Sequence, residues 1–346
     1  VDAYGRAALA EPQNPLYWYN KGDTLVFLKQ HEAALDALQR ALESDPRYVR
    51  AWAKQAQVLR RIGRYEEALA SYSRAVELSP EYAWAWNGRG LALSVLGRHD
   101  EALSCFRQAA ALQPDDLWFW YNQADELIVM HRYEDALAPL ERALRLNRDH
   151  PESWAKRGQA LRRLGRYKES VAAYDQALKL EPHYAWAWNG RGLALEAMDR
   201  REEALLSYER AAQEDPSSVW YWLNQIEPMV TLGRQEEALD VIEQALAIDA
   251  DNDSAWARRG QVLRRLDRHE EALEAYDRSL AISPDYGWAW NGKGLAYAAL
   301  GRWQEALECY EQATKVAPRD VWFWHNRGEA LMQLSAIGLV EIRPRR

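Results

Sequence analysis

Small, apolar and polar residues recur along the chain with a period of 34 residues, and tryptophan marks position 4 of each repeat, from Trp18 to Trp324. Counted from that tryptophan, nine full repeats begin at Pro15, Val49, Ala83, Leu117, Pro151, Ala185, Val219, Asp253 and Gly287. A fixed period of this length indicates stacked supersecondary units, each of which buries its apolar face on its neighbours. The pattern therefore predicts one continuous array in place of separate globular domains.

Within a repeat, the spacing of apolar and small residues predicts two helices. Tryptophan at position 4, a small residue at position 8 and Leu or Tyr at position 11 are about one turn apart and form one face of a first helix. Glycine at position 15, as in Gly63, permits the left-handed backbone that ends such a helix. Acidic residues at positions 18 and 19 suit the N-terminus of a second helix, whose buried stripe is positions 20, 24 and 27. Proline at position 32, as in Pro80, ends the second helix.

A longer period of 102 residues groups the repeats in threes. The stretch from Tyr82 to Leu93 recurs nearly unchanged from Tyr184 and more loosely from Tyr286. This period fits a ligand that is contacted at regular intervals, and it fits equally well a recent duplication of a three-repeat block.

The combination of Trp, Gly, Leu or Tyr, Ala, an aromatic residue, Ala and Pro at these spacings resembles the tetratricopeptide repeat, and the match covers nearly the whole chain. The resemblance implies an all-α, right-handed superhelix, which is a solenoid of helix-turn-helix repeats. Position 7 departs from the family because it is polar here, as in Gln55 and Arg89, so the packing of the first helix must differ in detail. Pro228 lies inside the first helix of the seventh repeat and predicts a kink or a shortened helix there.

The predicted division of the chain follows the repeats. It consists of residues 1–14 as the second helix of an incomplete repeat, nine repeats (15–48, 49–82, 83–116, 117–150, 151–184, 185–218, 219–252, 253–286 and 287–320), residues 321–334 as the first helix of an incomplete repeat, and 335–346 as a tail. Ends of this kind suggest a segment of a longer polypeptide. We further expect the C-terminal first helix to pack on the N-terminal second helix of a neighbouring molecule, which gives head-to-tail contacts.

Composition narrows the classes of function. With 44 basic and 52 acidic residues the net charge is −8, which weighs against non-specific binding to nucleic acid. No apolar run approaches the length of a membrane span and no signal segment opens the chain, so a cytoplasmic location is expected. The two cysteines, Cys105 and Cys309, occupy the same position of their repeats and are expected to be small buried residues.

The sequence contains no catalytic constellation. The histidines are spread along the array with no nucleophile at a matching position, the glycines form no phosphate-binding loop, and no metal-ligand spacing occurs. The sequence therefore predicts a protein that is not an enzyme and that uses neither a metal nor a cofactor.

The surface that the first helices share is the remaining candidate for function. Positions 2, 5, 6, 9, 12 and 13 lie roughly opposite the apolar stripe, and the family resemblance implies that this face lines a concave groove that holds peptides. One kind of repeat supplies bases, a glutamine and an arginine pair, and the other two kinds supply tryptophan and asparagine. The candidate groove residues are Arg60, Arg61, Trp84, Asn87, Trp118, Asn122, Lys156, Gln159, Arg162, Arg163, Trp186, Asn189, Trp220, Asn224, Arg264 and Arg265.

Each residue type in this set has a functional and a structural interpretation. The tryptophans at position 2 give a ligand a rigid aromatic lining, or they pack sideways on the preceding repeat. The asparagines hold a peptide backbone with donor and acceptor together, or they are solvated residues near a helix start. The arginine pairs recognise an anion, or they complement the helix dipole in the last turn. Arginine at position 16, as in Arg64, is most simply part of the turn.

The favoured function is a protein-interaction scaffold that binds an extended peptide or partner segment. Its bases would take carboxylates, its asparagines the peptide backbone, and its tryptophans apolar side chains. Three alternatives stay open. One is a sensor or regulatory segment of a larger signalling protein that self-associates through its ends, and another is a protein that binds single-stranded nucleic acid by stacking. A purely architectural rod is the remaining alternative.

Overall fold

The computed structural model describes residues 1–336 and 338, and within these residues all regular secondary structure is helical. The helices are α1 Asp2–Ala10, α2 Pro15–Phe27, α3 His31–Ser44, α4 Val49–Arg61, α5 Tyr65–Leu78, α6 Ala83–Val95, α7 His99–Leu112, α8 Leu117–Val129, α9 Tyr133–Leu146, α10 Pro151–Arg163, α11 Tyr167–Leu180, α12 Ala185–Glu196, α13 Arg201–Glu214, α14 Val219–Leu223, α15 Ile226–Thr231, α16 Gln235–Ile248, α17 Asp253–Arg265, α18 His269–Ile282, α19 Gly287–Ala299, α20 Trp303–Val316 and α21 Val321–Ala336. The predicted all-α class is confirmed. The last helix passes its predicted end at Leu334, and residues 337 and 339–346 of the predicted tail lie outside the described residues.

The chain divides into two compact units, an N-terminal unit of Val1–Glu181 and a C-terminal unit of Pro182–Arg346, where the sequence predicted one continuous array. In both units a repeat is a pair of consecutive helices, and the short turn between them makes the pair antiparallel. None of the helices in the described part of the chain is both long enough and apolar enough to cross a membrane.

The turn between the two helices has left-handed backbone at position 15 in every full repeat. Five repeats place glycine there, with φ of 73–82°, as predicted. The other four place Lys29, His131, Asp199 and Asp267 there, with φ of 57–60°. A side chain costs roughly 1–2 kcal/mol in this conformation. The packing of the helix pair therefore dictates the turn, and glycine only lowers its cost.

The two helices of a repeat meet where a small residue at position 8 faces a larger one at position 24. A Cβ atom added at Gly90 would lie 2.6 Å from the Phe106 ring, and one added at Gly192 would lie 2.5 Å from the Tyr208 ring. Both rings are fully buried. Glycine at position 8 is required there because the ring occupies the space that a side chain would need.

The periodicity predicted the tryptophans at position 4 to be core residues, and the structure confirms this for Trp18, whereas the others are only partly buried. Trp18 is 5% exposed, the next eight are half-buried, and Trp324 is 48% exposed. Each of the ten indole Nε1–H groups donates a hydrogen bond of 2.8–3.1 Å to the carbonyl oxygen six residues earlier, in the loop that precedes the first helix. An indole N–H needs such a partner when the ring is covered. The tryptophan therefore ties the loop between two repeats to the first helix.

In seven first helices, position 7 carries a Lys or Arg side chain that lies over that tryptophan. The cationic groups lie 5.3–5.9 Å from the centroid of the tryptophan three residues earlier in Lys21, Arg89, Arg157, Arg191, Arg259, Lys293 and Arg327. These distances are typical of cation–π contacts. The departure from the family pattern thus follows from the half-exposed position of the tryptophan.

Pro228 interrupts the first helix of the seventh repeat, as predicted. α14 ends at Leu223 and α15 begins at Ile226. Proline has no N–H to donate to the carbonyl of Asn224, and its ring clashes with that carbonyl in a regular helix. The first helix is therefore divided into two short pieces.

Arginine at position 16 belongs to the turn, as predicted. In eight repeats it pairs with the acidic residue three positions later, at nitrogen–oxygen distances of 2.6–2.8 Å. Arg64, for example, places Nε and Nη2 on the two carboxylate oxygens of Glu67 and holds the pKa of that carboxyl below its usual value. The pair fixes the start of the second helix on an exposed surface.

Candidate functional site

A cavity of about 400 Å³ lies on the shared face of the first helices in the N-terminal unit. Its walls come from α2, α4, α5 and α6, and it is lined by Tyr19, Arg50, Ala53, Lys54, Gln57, Arg60, Tyr72, Tyr82, Trp84, Asn87, Gly88 and Leu91. Positions 2, 5, 6, 9 and 12 of α4 and positions 2, 5, 6 and 9 of α6 therefore share one surface here. The sequence predicted this grouping from helical geometry, and we call the cavity the α4–α6 pocket.

Tyr72 reaches the floor of the pocket from the second helix α5. A Cβ atom at Gly88 would overlap its ring, so glycine at this position opens the way for the tyrosine between the two first helices. Burial raises the pKa of the Tyr72 hydroxyl, and the neighbouring Arg60 guanidinium opposes part of that rise. The Nε–H of Arg60 is buried and has no hydrogen-bond acceptor among the described residues.

The same arrangement recurs in the C-terminal unit. A Cβ atom at Gly292 would lie 2.5 Å from the Tyr276 ring. Burial raises the pKa of Tyr276 to about 12, again against the effect of a neighbouring arginine, Arg264. The Nε–H of Arg264 is also buried without an acceptor in the described chain. Arginine at position 12 is thus placed beside the tyrosine of its own repeat in both units.

The tryptophans at position 2 remain exposed on this face. Their exposed fractions are 39–72% for Trp84, Trp118, Trp220, Trp288 and Trp322, while Trp186 is half-buried. Ring contacts hold the first two: Trp84 packs on Phe119 of the following repeat with centroids 5.2 Å apart, and Trp118 packs on His150, the last residue of its own repeat, at 5.1 Å. They offer rigid, accessible rings.

The asparagines bind one another in the structure. Asn122 Nδ2–H donates to Asn87 Oδ1 at 2.9 Å, and the pairs Asn224 with Asn189 and Asn326 with Asn291 repeat this bond at 2.7 and 2.8 Å. Position 6 of one first helix is thereby joined to position 5 of the helix before it. Each pair keeps one carbonyl oxygen and one amino group for other partners.

The lysines at position 6 already have carboxylate partners. Lys156 Nζ lies 2.5 Å from Asp125 Oδ1, and Lys54 Nζ lies 2.7 Å from Asp23 Oδ1. Lys156 was predicted to receive a carboxylate from a ligand, but an aspartate of the preceding repeat occupies that role. The sequence does not reveal this pairing. The distance from position 6 of one repeat to position 9 of the preceding repeat depends on how the two first helices pack. Gln159 remains a candidate, since its buried side-chain oxygen has no donor among the described residues.

The arginine pairs divide into two different environments. Arg60, Arg162 and Arg264 at position 12 are half-buried, whereas Arg61, Arg163 and Arg265 at position 13 are exposed. Arg61 does not line the α4–α6 pocket, and Arg265 Nη2 lies 3.7 Å from Glu227 Oε1. The prediction that both members of a pair face one ligand is therefore wrong for this pocket. Helical geometry explains it, because adjacent residues point about 100° apart.

Within the described residues, no three His, Cys, Asp or Glu side chains cluster as metal ligands would. Cys105 and Cys309 are free and buried, as predicted. Burial raises the pKa of the Cys309 thiol to about 11, so little thiolate is present at neutral pH.

The fold and this face define a helical-repeat protein with an exposed aromatic and polar surface on its first helices. Models described as tetratricopeptide repeat or TPR repeat match residues 1–49, 19–83, 53–116, 96–160, 158–199, 187–218 and 252–319. The chain therefore belongs to the tetratricopeptide repeat family. The matches leave out residues 219–251, which contain the repeat that Pro228 interrupts, and residues 320–346.

Solved structures of TPR proteins are similar to parts of the chain. YrrB, described as a TPR protein with an unusual peptide-binding site, is 21% identical over 55% of this chain and 97% of its own, with a TM-score of 0.44. MamA is 20% identical over 56% of this chain and 98% of its own, with a TM-score of 0.43. TTC0263, a thermophilic TPR protein of Thermus thermophilus, is 23% identical over 53% of this chain and 100% of its own, with a TM-score of 0.46. Comparison with curated protein sequences gives no match. The family assignment rests on the sequence models.

Proposed function

We propose that the protein is a protein-interaction scaffold that binds an extended peptide on the shared face of its first helices. The observation that carries this proposal is the pair Trp84 and Trp118, each 49% exposed although its edge is fixed by a neighbouring ring. Rigid aromatic side chains supply large contact area at low entropic cost, which is typical of residues that dominate binding energy.

Polar groups between these rings suit a peptide backbone. The hydrogen-bonded pair Asn122 and Asn87 leaves a carbonyl oxygen and an amino group for further hydrogen bonds. A peptide that crosses from α6 to α8 would place apolar side chains on the tryptophans and its amide groups on the asparagines. No step in this proposal requires catalysis.

The test is a binding measurement with fluorescein-labelled peptide pools and then with the best single peptide. We expect the double variant Trp84→Ala/Trp118→Ala to bind that peptide at least tenfold more weakly, since truncation of a central aromatic residue typically costs about 2 kcal/mol or more. Fluorescence anisotropy gives the dissociation constants, and circular dichroism checks that the variant remains folded.

Leu206→Ala is the matched control, because Leu206 is 64% exposed on α13, a second helix. Equal binding by the tryptophan variant, the control and the unaltered chain would contradict the proposal. Preferential binding of a single-stranded oligonucleotide, with a steep loss of affinity between about 50 and 200 mM salt, would favour the nucleic-acid alternative instead.

We propose as a second property that copies of the chain associate through α21 and α1. In six full repeats a glycine at position 8 lies against the side chain at position 24. Gly328 is the position-8 glycine of α21, and no described residue lies within 4 Å of the place of its Cβ atom. Tyr4 is the position-24 residue of α1 and is 41% exposed. The ring of Tyr4 from a second copy would fill the space at Gly328.

Light scattering as a function of protein concentration tests this association. The apparent mass of the unaltered chain is expected to rise with concentration, while Gly328→Leu, which fills the space, is expected to stay at the mass of one chain. A constant single-chain mass for the unaltered protein at high concentration would exclude the contact.

A further inference from the structure

We infer that the α4–α6 pocket binds a phosphomonoester group on a partner, with Arg50 as the residue that sets this specificity. This inference rests on the proposed peptide-binding function and names the chemistry of one group on the peptide. Cations, hydroxyl groups and aromatic rings of the first-helix face together line this partly open pocket.

The pocket is rich in hydrogen-bond donors and has no acidic lining. Its polar walls include three cationic side chains, Arg50, Lys54 and Arg60, and none of its twelve lining residues is Asp or Glu. Burial raises the pKa of Tyr72 and Tyr82, so their hydroxyl groups remain protonated donors at neutral pH. A ligand that matches such walls must be negatively charged and must offer several acceptors.

The positive charge of the pocket comes mainly from its two arginines, because its lysine is already paired with a carboxylate. Lys54 Nζ lies 2.7 Å from Asp23 Oδ1, which neutralises much of its charge. Arg50 lies against the Tyr19 ring, with 5.3 Å between its guanidinium carbon and the ring centroid, and makes no carboxylate pair among the described residues. Arg60 carries the buried Nε–H that lacks an acceptor. Two arginines therefore face the pocket without a carboxylate.

A phosphomonoester fits this arrangement better than a carboxylate. It carries a charge of about −1.5 to −2 at neutral pH and three acceptor oxygens, whereas a carboxylate has one charge and two oxygens. Two arginines and the tyrosine hydroxyl groups together offer more hydrogen-bond donors than the two oxygens of one carboxylate can accept. Trp84 and Tyr19 line the same space, so an aromatic or apolar stem that carries the phosphate has rings to pack on.

The sequence itself contains a natural comparison for Arg50. Positions related by 102 and 204 residues hold Glu152 and Ser254, while Arg60 is matched by arginine at both related positions, Arg162 and Arg264. Tyr19 is matched by a tyrosine, Tyr121, at the first related position and by Leu223 at the second. Arg50 is therefore the feature that sets the first copy apart, and the inference predicts one phosphate site per chain in place of three.

The experiment titrates phenyl phosphate into the full chain at about pH 7.5 in phosphate-free buffer, followed by phosphorus nuclear magnetic resonance and isothermal titration calorimetry. We expect saturable binding at one site per chain. Arg50→Ser, which installs the residue found at the related position, is expected to weaken it about tenfold or more, since a charge-assisted hydrogen bond contributes at least that factor. Arg61→Ser removes the same charge outside the pocket and is expected to leave the affinity within about twofold.

Benzoate provides the comparison of charge on the same ring and is expected to bind at least tenfold more weakly than phenyl phosphate. Equal losses in the two arginine variants, or equal affinity for benzoate and phenyl phosphate, would overturn the inference. Absence of phenyl phosphate binding while the selected peptide still binds removes the phosphate site only. Loss of peptide binding as well would instead remove the proposed function.

Discussion

Replacement of Phe106 by alanine is expected to lower the free energy of unfolding by about 3–5 kcal/mol, because deletion of a buried aromatic side chain removes its transfer free energy and leaves a cavity. The ring is 1% exposed and lies against Gly90, which has no side chain to move into the space. Urea denaturation followed by circular dichroism measures the loss. Leu206→Ala, on an exposed second-helix surface, is expected to change stability by less than about 0.5 kcal/mol.

Gly90, which faces the Phe106 ring, provides a second test of the same contact. Gly90→Ala alone is expected to destabilise by about 1–3 kcal/mol, because its Cβ would lie 2.6 Å from a ring that has no room to move. In the Phe106→Ala background the same substitution is expected to stabilise by up to about 1 kcal/mol, since alanine is the better helix former. Absence of this change of sign in the double-mutant cycle would show that the ring does not determine the residue at position 8.

Because a repeat array can unfold in parts, the equilibrium measurement needs a local readout. Hydrogen exchange of the amides in α6 and α7 is expected to accelerate in Phe106→Ala more than exchange in α2 and α3. Uniform acceleration across these helices would indicate that the N-terminal unit unfolds as a whole.

Replacement of His99 by alanine is expected to cost about 2 kcal/mol or more, because it leaves the carboxylate of Glu126 buried without its partner. His99 Nδ1 lies 2.8 Å from Glu126 Oε1, and the Glu126 side chain is only 3% exposed. His99 itself is 38% exposed, so water reaches Glu126 after the substitution. The expected loss is therefore closer to about 2 kcal/mol than to the larger losses seen when a fully buried pair is broken. Thermal and urea unfolding at neutral pH measure the loss.

Replacement of Glu126 by alanine, in contrast, is expected to leave the free energy of unfolding unchanged or to raise it. Position 10 holds buried alanine in the adjacent repeats, at Ala92 and Ala160, so Glu126→Ala substitutes the residue that the fold already accepts there. The substitution removes the buried polar group itself, and His99, which is 38% exposed, can bond to water instead. A loss above about 1 kcal/mol in Glu126→Ala would contradict this interpretation.

His183→Ala supplies the matched control. His183 Nδ1 lies 2.7 Å from Glu214 Oε2, but that carboxylate keeps a second partner, Arg210, at 2.7 Å. His183 is also 76% exposed. We expect a change below about 1 kcal/mol, as is usual for exposed ion pairs. Equal losses in His99→Ala and His183→Ala would mean that burial of the carboxylate is not the cause.

The sequence predicted the helices well because each one is set by local features. The positions of Gly63 and Pro80 mark helix ends that depend on backbone conformation alone. Pro228 likewise predicted the break in the seventh repeat, since the loss of one N–H and the clash of its ring act within a single helical turn. Residues that lack this local signal, such as Asp267, are forced into the same turn by the packing of the helix pair.

The site was only partly predictable. Helical geometry correctly grouped positions 2, 5, 6, 9 and 12 on one face, and the exposed Trp84 and Trp118 lie where expected. Partners between repeats were not predictable from positions within a repeat. Asn122 pairs with Asn87 and Lys156 with Asp125, because neighbouring first helices approach closely on this face. Arg50 was not among the predicted residues, because Glu152 and Ser254 at the related positions make it an exception to the three-repeat pattern.

The sequence by itself determined the length, order and ends of the helices, the repeat register and the family, because these depend on periodicity and on backbone preferences of single residues. The tertiary structure decided which charges are already neutralised, which tryptophans are accessible, and where a tyrosine from a second helix reaches the face of the first. These properties depend on distances between residues of different repeats. Periodicity fixes the face on which a side chain lies, whereas its partner is fixed by the packing of the neighbouring helix.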